Sequence, residues 1–174
     1  MKKIVYVIAA GLLLAGPALG ESVGEKSGVN SALGIAPKTE DFVQEAASSD
    51  MFEIQSSQLA SQKAQGQVKQ FADQMVTDHT KTSNDLKGLA QGANVSVPSQ
   101  MSSSQQSMLD KLKGLNGADF SKQYVDDQVS AHKDAVSLFE RYGKSGDNDQ
   151  IKSWATQTLP KLQHHLDMAQ NLKE

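Results

Sequence analysis

Apolar residues recur at three- and four-residue spacings in four separate stretches of this chain, and turn residues close each stretch. That period is helical, so the chain must bury four apolar stripes against one another. Placed at 100° per residue, residues 39–64 bring Phe42, Ala46, Ser49, Glu53, Ser57, Ala60 and Ala64 to one face. Residues 67–91 stack Val68, Phe71, Ala72, Met75, His79, Leu86, Leu89 and Ala90. Residues 119–142 carry a wide arc through Phe120, Tyr124, Ala131, Ala135, Leu138, Phe139 and Tyr142, extended by Val125, Val129 and Val136, with His132 inside it. Residues 149–172 bury Ile151, Trp154, Ala155, Leu159, Leu162, Leu166, Ala169 and Leu172, and His165 shares their face. His164 is turned about 100° away, toward water.

Local signals place the boundaries. Thr39 is predicted as an N-cap, with Glu40 and Asp41 in the first turn of the helix dipole. Gly66 and Gly92 end the first two helices, and Gly143 opens a turn through residues 144–148. Pro160 falls on the polar side of the last helix, where it kinks the backbone without opening the core. Between the second and third stretches, Val95, Val97 and Pro98 lead to a short amphipathic helix bearing Met108, Leu109 and Leu112, started by Ser102, Ser103 and Ser104. That connection is too long for a hairpin and is expected to cross the length of the bundle. The predicted fold is therefore all-α: a four-helix bundle of ferritin-like connectivity, with a short extra helix in the crossover.

The amino terminus has a different character. Lys2 and Lys3, the apolar residues 4–15 and the small-residue site Ala18, Leu19 and Gly20 read as a secretory signal peptide. Gly16 and Pro17 interrupt the apolar run, which is shorter than the roughly 20 residues that span a bilayer. The expected organisation is a signal peptide over 1–20, a flexible lead-in rich in Gly and Ser over 21–38, and a bundle domain over 39–174. Export would place the chain in the periplasm or outside the cell, with no transmembrane segment after cleavage. It contains no cysteine, so no disulfide or lipidated cysteine supports it there. The 17 basic and 20 acidic residues leave a net negative charge that deepens once Lys2 and Lys3 are removed. No basic stripe or stacking platform appears, which argues against nucleic acid as a partner.

Three of the four histidines take positions where a helix would bury a leucine. If the four faces meet, His79, His132 and His165 converge with Glu53 into three nitrogens and one carboxylate, a donor set suited to one zinc or copper ion. The competing reading is a metal-free polar network, each imidazole bonded to Tyr124, Tyr142 or a serine, in a structural or stress-protection module. Burying these groups costs several kcal/mol unless they are paired, so both readings require them to meet. A di-iron centre fits poorly, because its Glu-x-x-His pairs are missing: Val76, Val129 and Leu162 precede the histidines by three residues. Asp50 and Asp127, at the margins of their faces, are the other possible oxygen donors, while Asp126 and Asp127 together read as a solvated helix edge. Met75, Met101, Met108 and Met168 read as core filling rather than a thioether site. No nucleophile motif or phosphate loop accompanies the cluster, so the signal is one of binding more than of chemistry; a metalloenzyme would need an open coordination position.

Several of these stretches occur together in a known family. Phe42 and Val43 with Ala46 and Ala47, Phe71 and Ala72 with Met75, Val76, Asp78 and His79, Phe120 with Tyr124, Val125 and His132, and Thr158, Leu159 and Pro160 with His165 and Leu166 form the set. In these the chain resembles a secreted, ferritin-like bacterial family of unknown function, domain-of-unknown-function family 4142. The resemblance implies an exported helical domain in which the three histidines and Glu53 match the family motif.

Overall fold

All four stripes become helices in the computed structural model, which describes residues 29–172. The predicted signal peptide and the first part of the lead-in, residues 1–28, lie outside the described residues. The long helices are α1 (Thr39–Lys63), α2 (Gly66–Gly92), α4 (Gly117–Ser145) and α5 (Asp149–Asn171), with the short α3 (Ser103–Gly114) in the connection between α2 and α4. A single helical turn, Val29–Ala32, precedes them. Among the described residues there is no strand, and no helix is long and apolar enough to cross a membrane. The protein is an all-α helical bundle.

The long helices pack in a closed ring. α1 lies against α2 and α4, and α5 lies against α4 and α2, while α3 covers α1 and α4 from outside. Two apolar clusters, one at each end, establish the directions. One joins Phe42 at the start of α1 with Ala90 at the end of α2, Tyr142 near the end of α4 and Ile151 at the start of α5. The other joins Ala64, Val68, Phe120 and Ala169 from the opposite helix ends. Each neighbouring pair in the ring is thus antiparallel, and α2 and α4 run parallel on a diagonal. A chain leaving α2 must travel the bundle's length to begin α4, and residues 93–116 make that journey.

Local chemistry explains most boundaries. The turn from α1 to α2 is tight because Gly66 adopts φ 58°, a conformation costly for residues with a Cβ. Ser102 caps α3 in a reciprocal box with Gln105, and Asn148 caps α5 by accepting from the Gln150 and Ile151 amides at 3.1 Å.

Two sequence expectations are corrected here. Thr39 is the first residue of α1 rather than its cap: Lys38 holds the extended cap conformation, and Asp147 accepts from the Thr39 amide at 3.0 Å. Thr39 itself bonds to the Tyr142 hydroxyl at 2.6 Å and to Asp147. The α4–α5 turn therefore supplies the cap that the local sequence was expected to provide. Gly143 lies within α4, where a Cβ would stand 2.9 Å from Thr156 Oγ1 of α5. Its glycine allows two helices to approach rather than ending one.

The described end of the lead-in is tied to α4. Arg141 Nη1 donates to the Ile35 carbonyl at 2.8 Å, and Pro37 is buried.

Candidate metal centre

Between the two apolar clusters every long helix changes character at the same level. The apolar cores stop at Ala47 and resume at Ala60 on α1, at Met75 and Leu86 on α2, at Tyr124 and Ala135 on α4, and at Leu162 and Ala169 on α5. The gaps hold Asp50, Glu53, Asp78, His79, Gln128, His132 and His165, all buried. His79, His132 and His165 are 3%, 1% and 2% exposed. Their rings form a nearly equilateral triangle, with centroids 5.5, 5.5 and 5.6 Å apart.

Each ring has one nitrogen tied outward. His79 Nδ1 lies 2.7 Å from Asp50 Oδ1, His165 Nε2 lies 2.9 Å from Asp78 Oδ2, and His132 Nδ1 lies 2.9 Å from the Gln128 carbonyl one helical turn back. A carbonyl or carboxylate oxygen can only accept, so these nitrogens carry the protons. In the neutral rings, the lone pairs are then on His79 Nε2, His132 Nε2 and His165 Nδ1. These three nitrogens are buried and have no hydrogen-bond partner. One ligand nitrogen from each ring lies within 4.8 Å of the other two. Leaving a buried acceptor unmade costs about 1–3 kcal/mol, and three lone pairs in one small cluster of rings repel. A cation among them removes both costs.

The donor set fits a metal ion. Three neutral imidazoles, each oriented by an outer carboxylate or carbonyl, are the arrangement that fixes tautomer and ring angle at histidine metal sites. Zinc–nitrogen bonds near 2.0 Å place neighbouring nitrogens roughly 3.3 Å apart, so the rings would close inward by about an ångström or less. The three buried histidines form a group that could hold a metal ion.

The electrostatics divide the histidines. Burial and the nearby His79 charge hold the His132 pKa down to about 3, against the pull of the Gln128 carbonyl. Burial and His79 likewise take His165 to about 4. Burial also works against protonation of His79, but the hydrogen-bonded Asp50 carboxylate, together with Glu53 and Asp78 nearby, outweighs it and raises that pKa. Asp78 resists the effect of burial through hydrogen bonds from Lys161, Gln74 and His165 and stays near 2, so it is an ionised acceptor.

Glu53 is 1% exposed and stands beside this triangle, its nearest approach to a ring nitrogen being 3.9 Å at His132 Nδ1. It is not part of the three-nitrogen group. Neither carboxylate oxygen meets hydrogen-bond geometry, and burial lifts its pKa to about 7, opposed by the His79 charge and the Gln128 side chain.

The residues expected to satisfy the imidazoles have other partners: Tyr124 bonds Ser57 at 2.8 Å, and Tyr142 bonds Thr39. Asp50, expected at the margin of its face as a possible oxygen donor, anchors His79, and Asp78 anchors His165. Gln128 gave no sequence signal, because its contribution is a backbone carbonyl. Asp127 is buried and receives a bond from Gln123 at 2.8 Å, so only Asp126 of that pair is a solvated edge. His164 is exposed, as its helical angle predicts. Replacing it with Ala is expected to change unfolding free energy by no more than about 0.5 kcal/mol, measured by urea titration; a cost matching that of His165→Ala would contradict this placement.

The family described as "Domain of unknown function (DUF4142)" matches residues 24–172. The chain belongs to this family. No curated protein and no solved structure gives a match. The family assignment covers the whole bundle, including the three histidines and their anchors, and names no activity for them.

Proposed function

We propose that this DUF4142 protein is exported and binds one transition-metal ion in its core through His79, His132 and His165. The observation that carries the proposal is that each of three clustered, buried imidazoles has one unpartnered nitrogen and an outer acceptor on its other nitrogen. Zinc or copper suits three imidazoles in a chain without cysteine. Glu53 is the candidate for the fourth position, as a direct ligand after a side-chain rotation or as the acceptor for a metal-bound water. Both roles would give its two unpartnered oxygens a donor or a cation. Export rests on the sequence of residues 1–20. The diagonal crossover and two antiparallel pairs support a ferritin-like topology, which here carries a mononuclear site in place of a carboxylate-bridged pair.

One observation favours a metal-free alternative. His79 is surrounded by Asp50, Glu53 and Asp78, which raise its pKa against burial, so an imidazolium there has one N–H left, at Nε2, to donate to a neutral neighbour. Elemental analysis of protein purified without a histidine tag separates the two. The metal reading predicts about one zinc or copper ion per chain and its loss in His132→Ala. Untagged protein that stays metal-free after dialysis against either ion would leave the imidazolium network standing.

A further inference from the structure

We propose that metal ions reach the buried histidines through one face of the bundle, by way of a cleft between α1, α3 and α4 whose inner gate is formed by Ser49, Ala135 and Leu138. The inference rests on the metal-binding reading above and adds the route that reading lacks: three histidines no more than 3% exposed need a path for a cation.

Two cavities lie in series. The outer one is a cleft of about 580 Å³ whose wall is polar and apolar in equal part: Phe52 and Met108 line it beside Ser102, Gln105 and the carboxylates of Glu45 and Asp134. Among the described residues, Arg141 is the one basic residue on its wall. The inner cavity, about 10 Å³, is lined mainly by apolar side chains, Phe139 and Leu162 among them, and reaches Asp50, His79 and Thr82. It has room for about one water molecule, the size of one step in shedding a hydration shell. Ser49, Ala135 and Leu138 line both cavities, so they form the partition between them. Two of the three are small, so Leu138 is the bulkiest side chain of the partition.

The opposite seam offers a cation no comparable entry. Between α2 and α5, Lys161 Nζ lies 2.6 Å from Asp78 Oδ1, and Asp78 Oδ2 is held in turn by His165 Nε2 and Gln74. An incoming ion there would meet an ammonium group and then a carboxylate already filled by three donors. On the α1–α4 face it meets hydroxyl, amide and carboxylate oxygens, which can replace lost water ligands one at a time.

The test is the rate of zinc exchange in the intact chain, followed by stopped flow with a chromophoric chelator, in wild type, Ser49→Leu and Leu138→Ala. Ser49→Leu should slow both zinc uptake and chelator-driven loss by about tenfold or more, because the barrier rises for both directions. Its equilibrium dissociation constant should stay within about threefold of wild type. Leu138→Ala should speed both directions, and circular dichroism establishes that each variant is folded. Folded variants that bind zinc tightly and exchange it at wild-type rates would overturn the route alone. A wild-type chain that takes up neither zinc nor copper would overturn the metal reading, and the route with it.

Discussion

Zinc added at pH 7.5 to about a hundred times its dissociation constant is expected to stabilise the protein by about 2.7 kcal/mol. For a domain of this size that raises the thermal midpoint by roughly 5–10 °C. The gain should shrink at pH 5.5, because protons compete with the metal for the lone pairs of His79, His132 and His165. The metal-free protein has its own opposing slopes. His132 and His165 have folded pKa values near 3 and 4, below the ordinary 6.5. Their stability is therefore present above 6.5 and is lost as pH falls through the folded values. Glu53, raised from 4.5 to about 7, and His79, also raised, act the other way. Their stabilisation is present below the unfolded values and is lost as pH rises through the folded ones. These slopes partly cancel between pH 4.5 and 6.5, so the difference between scans with and without zinc isolates the site. Differential scanning calorimetry at pH 5.5 and 7.5 gives the comparison. A midpoint indifferent to zinc and copper at pH 7.5, or a zinc gain equally large at pH 5.5, would remove the case for coordination by imidazole.

The second large effect falls on residues that would never touch the metal. Asp50→Ala and Asp78→Ala should each weaken zinc binding about 10–100-fold, the usual cost of removing an outer partner of a ligating histidine. The cause is local. Without Asp50 the protonated nitrogen of His79 has no acceptor, the hydroxyl of Thr82 loses one at 3.1 Å, and the ring is free to turn or change tautomer. Without Asp78 the same happens to His165, and Lys161 is also unpaired. Asp73→Ala provides the contrast: its carboxylate is half exposed and paired with Lys69 on the surface of α2, away from the histidines. Competition titration against a zinc chelator measures all three. Zinc affinity in Asp50→Ala and Asp78→Ala equal to that of Asp73→Ala would show that the outer bonds do not orient the ligands.

How the site was built divides sharply between what periodicity can and cannot show. That His79, His132 and His165 point inward while His164 points outward follows from 100° steps along single helices, and a single stretch of chain contains that information. The anchors were harder to recognise. Asp50 and Asp78 sit at the edges of their stripes, where an isolated helix looks half solvated. They are buried because α2 and α5 close over them, and Asp50 meets its histidine on the neighbouring helix, which no single-helix pattern records. Glu53 is buried, as its helical angle predicts, but a three-bond side chain chooses its rotamer by packing, and its carboxylate stands 3.9 Å from His132 Nδ1.

The same division holds for the fold. From the chain alone came four amphipathic helices, a connection long enough to traverse the bundle, and a polar level in each stripe, because these depend on local spacing and on what cannot remain in water. The tertiary structure alone decided that α3 covers α1, and that a turn residue, Asp147, caps a helix far away in sequence. It also decided which nitrogen of each imidazole is left over. A hydrogen bond is a relation between two groups brought together by packing, so the three free lone pairs, and with them the candidate metal site, exist only once the helices have met.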